Sequence, residues 1–161
     1  MAFDCFMKVK DIEGESTDEK HKKWIELHSY SFNCSQVVGG APSTAGGRAA
    51  ERVDISDVTV SKDLDKASPK LFAKCCAGEH IKEITIELCR STGKKQKYME
   101  YKLEDVLVTN YSPSGAGGVP TEGLSLNAGK ITLTYTATNA ETGKPEGNVA
   151  ANWDTTNNKG E

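Results

Sequence analysis

Three stretches of this chain alternate apolar and polar residues as β-strands do, and each changes phase partway along. From Trp24 to Asn33 the apolar positions begin as Ile25 and Leu27 and end as Tyr30 and Phe32. From Val53 to Ser61 they begin as Val53 and Ile55 and end as Val58 and Val60, with Ser56 and Asp57 between. From Leu124 to Thr136 they are Leu124 and Leu126, then Ile131, Leu133 and Tyr135, with Ala128, Gly129 and Lys130 at the change. A one-residue register change turns every following side chain to the opposite face. Two causes are open. A β-bulge re-aims the strand inside the chain's own barrel, or the strand is continuous and its second half buries an outer face against another chain. In the second case Ser29 and Ser31 face water or a water-filled cavity, while Tyr30 and Phe32 point inward.

The rest of the chain reads mostly as further strands. Phe3 to Val9 alternates, as does Ile84 to Leu88; STGKK at 91 to 95 is a hairpin turn, and Tyr98 to Asn110 returns as a strand. Within DKASPKLFAKCCAGEH, Ser68 is placed as a helix N-cap, Pro69 at the first helical position and Gly78 after the end. Leu71, Phe72, Cys75 and Cys76 form its apolar stripe. Asp11 to Lys23 is a charged, turn-like connection, and the Gly-rich segments 37 to 50 and 112 to 120 are loops. Residues 137 to 161 read as a terminal strand plus a flexible tail. The expectation is one domain, 1–161, mainly β: a small antiparallel two-sheet β-barrel or sandwich with one short flanking α-helix.

Composition removes several function classes. With 161 residues and a net charge of −3, the chain offers no basic footprint for nucleic acid. No apolar run reaches the ~18 residues of a membrane span, and Asp4 interrupts any export signal, so a cytoplasmic start without membrane insertion is expected. Five cysteines, an odd number, argue against a disulfide framework. Three histidines and many serines could be drawn as a triad, but no G-x-S-x-G elbow accompanies them, so no catalytic residue is assigned. His21 is expected to cap or pair within its turn. Cys75, Cys76 and His80 are the one metal-ligand grouping by spacing. Adjacent helical residues point about 100° apart, so these thiols read as structural, and no metal or cofactor is expected. The Gly-rich loops lack phosphate-cradle spacing, and the basic spots at 21–23 and 94–98 read as solubilising turns.

The opening MAFDCFMKVKDIEGESTDEKHKKWIELHSYSFNCSQ joins a GES block, an Asp, a His and a strand of aromatics and serines. Together with VDISDVTVSKDLDKASP, LFAKCCAGEH, EDVLV at 104–108 and SLNAGKITLTYTAT, it resembles the hemolysin-coregulated protein (Hcp) family over essentially the whole chain. That resemblance implies a non-enzymatic tube subunit of a bacterial type VI secretion system. Six copies close into a ring, and rings stack into a hollow tube within a contractile sheath, under a spike. The tube is cytoplasmic before firing and extracellular afterwards, and its lumen can hold effector proteins. No enzymatic extension beyond the tube domain is expected.

Under that resemblance Ser29 and Ser31 are the expected lumen and effector contacts. Ring stacking needs a projecting element. The candidate is Val37, Val38, Gly39, Gly40, Ala41, Pro42, Ser43, Thr44, Ala45, Gly46, Gly47 and Arg48. Strand edges from both ends of the chain would form the lateral contact, with two different patches per subunit. The alternative is a monomeric β-barrel binding module for a small ligand or peptide, with the loops at 37–50 and 112–120 flanking its mouth.

Overall fold

A computed structural model describes residues 3–40, 48–91 and 93–161. Strands dominate, as expected. They are β1 (Phe3–Val9), β2 (Ile25–Leu27), β3 (Ser29–Ser31), β4 (Cys34–Gly39), β5 (Ala49–Ile55) and β6 (Val58–Asp63), followed by helix α1 (Ser68–Ala77). Then come β7 (Ile81–Arg90), β8 (Gln96–Ser114), β9 (Thr121–Thr138), β10 (Pro145–Asp154) and β11 (Lys159–Gly160). Nine strands form one antiparallel sheet, and β4 and β5 form a separate two-stranded ribbon. Within the large sheet β1 pairs with β2 and β7, β3 with β6, and β6 with β9. Because β2 runs into β3 across His28 alone, the pairings return on themselves through β9, β8 and β7, giving a barrel-like circuit. Met7, Ile25, Ile84, Ile86, Leu103, Leu124 and Leu126 fill its interior and are fully buried. Each contributes about 1.5–3 kcal/mol through removal from water.

All three phase changes are satisfied inside the chain. At His28 the strand is handed from β1, its partner through Leu27, to β6, its partner from Ser29. Both phases, Ile25 and Leu27 and then Tyr30 and Phe32, feed the same core. Between the pairs Ser31↔Thr59 and Cys34↔Ile55 one strand advances three residues and the other four, which is a bulge. Asn33 and Ser56 brace it: Asn33 N donates to Ser56 Oγ at 2.8 Å and Ser56 N to Asn33 O at 2.9 Å. At the third change β8 and β9 bend together. Leu103 faces Ile131 on one side of the bend and Val106 faces Ala128 on the other. Asp105 takes a left-handed backbone (φ 53°) opposite Gly129, where a Cβ would lie 3.2 Å from the Asp105 carboxylate. A bulge accounts for the second phase change, a change of partner strand for the first and a bend in register for the third. The phase changes are not by themselves a mark of an outer face buried by another chain.

Four local expectations change. The segment 37–50 is not a plain loop: its described ends are strands of the ribbon, and Ala41–Gly47 lie outside the described residues. The N-cap position of α1 is Ala67, without a side-chain cap; Asp65 Oδ1 instead accepts from Ala67 N at 2.9 Å, and Ser68 is buried inside the first turn. Of the helical stripe, Leu71 is buried and Cys75 packs on the core, while Phe72 and Cys76 are exposed. Residues 145–154 form a full strand on β9, so the terminal segment is ordered along most of its length.

Candidate functional site

Ser29 and Ser31 are exposed on one face of β3, with Tyr30 turned inward between them. Tyr30 Oη lies 3.0 Å from Tyr101 Oη, and Phe32 meets the Tyr101 ring edge-on. Burial, then the Tyr101 hydrogen bond, pushes the Tyr30 hydroxyl well above its ordinary range. Register continues the hydroxyl face across the sheet: Ser29 pairs with Ser61, Ser31 with Thr59, and Thr59 with Ser125. Val58, Val60, Leu124 and Leu126 occupy the opposite, buried face. The result is a wall of hydroxyls, bounded on the same side of β6 by Asp63. Reading single strands reached Ser29 and Ser31 but missed Thr59, Ser61 and Ser125. Their outward alternation was present in the sequence, but only the pairing joins them to Ser29 and Ser31.

The β4–β5 ribbon bears Val37 and Val38, both exposed. Gln36 Nε2 bonds to Glu51 O across it, and Arg52 Nη2 donates to Thr155 O at 2.8 Å, tying its base to the chain's last turn. β10 is exposed from Pro145 to Ala151, and its outer edge is met by β11 only at Trp153 and Asp154. There Val149 is 72% exposed beside Tyr135, its register partner.

The charged turn before β2 is not a solvated loop. Ser16 and His21 are buried in it. Gly14 sits where a Cβ would meet Trp24 O and come within 2.7 Å of Ile25 Cγ1, so no larger residue fits. Ser16 Oγ accepts from Asp18 N, and Asp18 Oδ1 accepts from Lys20 N and His21 N. His21 stacks on Phe6, with ring centres 4.2 Å apart. It pairs with Asp18 through Nδ1 at 2.8 Å and with Glu87 through Nε2 at 2.7 Å. The GES block with its Asp and His is therefore a closure of the barrel wall.

A second polar knot lies under α1. The Lys62 side chain is fully buried against Glu122, with Asp65 Oδ1 at 3.0 Å and Ser68 Oγ at 3.2 Å. Burial raises the Glu122 carboxyl, but hydrogen bonds from Lys62, Ser68 and Tyr111 outweigh it and leave the group below its ordinary value. The other histidines are hydrogen-bonded to carboxylates at the surface, His28 with Asp63 at 2.7 Å and His80 with Asp105 at 2.5 Å. His80 is thereby paired with Asp105 rather than held toward Cys75 and Cys76. Among the described residues the barrel interior is filled by buried apolar side chains such as Met7, Ile86 and Leu124.

A barrel whose interior is packed, and whose display surfaces are a hydroxyl wall, an outlying ribbon and a bare strand, defines a class of protein that works through its outside. The family described as type VI secretion system effector, Hcp, matches residues 6–135. The chain belongs to the Hcp family. It is 32% identical over 156 residues to protein hcp1 of Pseudomonas aeruginosa, covering 95% of each chain. A solved type six secretion system protein superposes with a TM-score of 0.92 at 30% identity, over 99% of this chain and 100% of that one. Hcp1 from Salmonella typhimurium superposes with a TM-score of 0.79 at 27% identity, over the whole of both chains. Among the described residues no helix is long and apolar enough to cross a membrane.

Proposed function

We propose that this chain is a non-enzymatic structural subunit of the inner tube of a type VI secretion system. Six copies close into a ring, rings stack into a hollow tube, and the tube is expelled from the cytoplasm on sheath contraction with the spike and any cargo. The observation that carries the reading is the superposition of the entire chain on a solved secretion-system protein. The exposed ribbon and the bare β10 strand support it, because each presents main-chain and apolar groups that a second copy would cover. In this arrangement Ser29 and Ser31, with Thr59, Ser61 and Ser125, line the lumen. Uncharged hydroxyls hydrate well and grip cargo weakly, so an effector can both ride and leave. Residues 37–48 contact the adjoining ring.

Native mass tests the assembly: scattering after gel filtration should give about six times the 17.4 kDa chain, and a single-chain mass at high concentration refutes the ring. Ser29→Arg with Ser31→Arg should leave that mass unchanged while reducing co-purified effector several-fold. Unchanged cargo recovery would remove these serines from the lumen.

A further inference from the structure

We propose that His21, Glu87 and Cys89 are the protein ligands of a site for one divalent transition-metal ion of the zinc class. The site lies on the outer wall of the barrel, away from the hydroxyl face, and does not depend on the tube reading. Glu87 and Cys89 are two apart on β7 and turn to the same side, while Ile86 and Leu88 turn inward. The turn at 14–24 brings His21 down onto them. Nε2 of His21 is 2.7 Å from Glu87 Oε2 and 3.8 Å from Cys89 Sγ, and the three ligand atoms all lie within 4.8 Å of one another. Imidazole, carboxylate and thiolate together are a zinc donor set.

The surrounding groups are placed as such a site needs. Asp18 holds Nδ1 at 2.8 Å, which orients the ring and leaves Nε2 as the coordinating nitrogen. Lys95 in turn holds the other Asp18 oxygen at 2.6 Å. Lys97 lies 3.5 Å from Glu87 Oε1, leaving Oε2 toward His21. Phe6 and Trp24 flank the imidazole and keep it from rotating away. An open cavity of about 360 Å³ reaches His21, Glu87 and Cys89, so an ion can enter and water can take the fourth position.

Two donor atoms 2.7 Å apart require a proton between them, and the ion would replace that proton. Tetrahedral zinc sets its nitrogen and oxygen ligands about 3.4 Å apart and its nitrogen and sulfur ligands about 3.5 Å apart. The Glu87 carboxylate, 15% exposed, therefore has to swing out by under an ångström, and the thiol to move in slightly. Coordination also requires the Cys89 thiol to give up its proton to solvent, since the thiolate is the ligand. Both protons leave through the cavity to water. Occupancy would clamp the turn to β7.

Cobalt(II) titration of the purified protein tests the site. The expected result is one ion per chain with a thiolate-to-cobalt charge-transfer band, displaced by one equivalent of zinc. The band should vanish in Cys89→Ser and persist in Cys76→Ser. Affinity should fall at least about tenfold in Glu87→Gln and about 10–100-fold in Asp18→Asn, each with its circular dichroism unchanged. No band in the wild type, or a band surviving in folded Cys89→Ser, overturns the proposal. If Cys89→Ser does not fold, unaltered affinity in Glu87→Gln overturns it equally.

Discussion

At the residue scale the most consequential interaction is Lys62 with Glu122, two opposite charges withdrawn from water under α1. Such a pair is worth little against an apolar substitute, but removing one partner strands a buried charge. Lys62→Met should cost about 3–5 kcal/mol, and Lys62→Met with Glu122→Leu should recover most of it. Thermal denaturation of the three proteins measures both. A single variant within 1 kcal/mol of wild type would show that the knot holds nothing. The pH dependence has a definite sign. Glu122 and Asp18 are both depressed in the folded state, Asp18 chiefly by the Lys95 hydrogen bond. Their contribution is complete above the unfolded carboxylate range, about 4, and is lost as pH falls through the lower folded values. Melting temperature should drop below about pH 4, less steeply in the double variant.

At the element scale the β4–β5 ribbon stands apart. A two-stranded ribbon is marginal alone in water, and this one meets its own chain mainly at its base. Deleting residues 39–47 should leave the melting temperature within about 2 °C, since the described residues of that segment, Gly39 and Gly40, lie outside the buried core. The same deletion should abolish sedimentable tubes while rings persist. Tubes of normal length would take ring contact away from the ribbon. The ribbon also shows where local reading stops. VVGGAPSTAGGRAA has the small residues of a loop, and its ends become strands only because they pair with each other across the bend at Asn33 and Ser56. The phase changes at 28, 56 and 129 were legible as register changes. Which strand received the chain after each was not, because partner choice depends on residues up to about 65 positions away, as with Thr59 and Ser125.

At the scale of the whole molecule, an exposed valine beside a tyrosine on an unshielded strand is costly unless covered. In the proposed ring, Val149 and Tyr135 would be the apolar centre of the lateral contact, being exposed side by side on β10 and β9. Val149→Asp should convert six-chain particles to single chains by analytical ultracentrifugation, with the chain's own melting changed little because Val149 touches water in isolation. Persistence of the full ring would place the lateral contact elsewhere. What the sequence by itself determined is the mainly-β architecture, the helix around Leu71 and the hairpin that joins β7 to β8. All follow from spacing within one strand or turn, where side-chain direction is set by the backbone period. What only the tertiary structure decided is the burial of His21 beneath a turn that reads as solvated, its meeting with Glu87 and Cys89, and the Lys62–Glu122 pair. Those contacts join residues about 60 or more apart, and no local rule relates a charged side chain to a partner that only the curled sheet brings near.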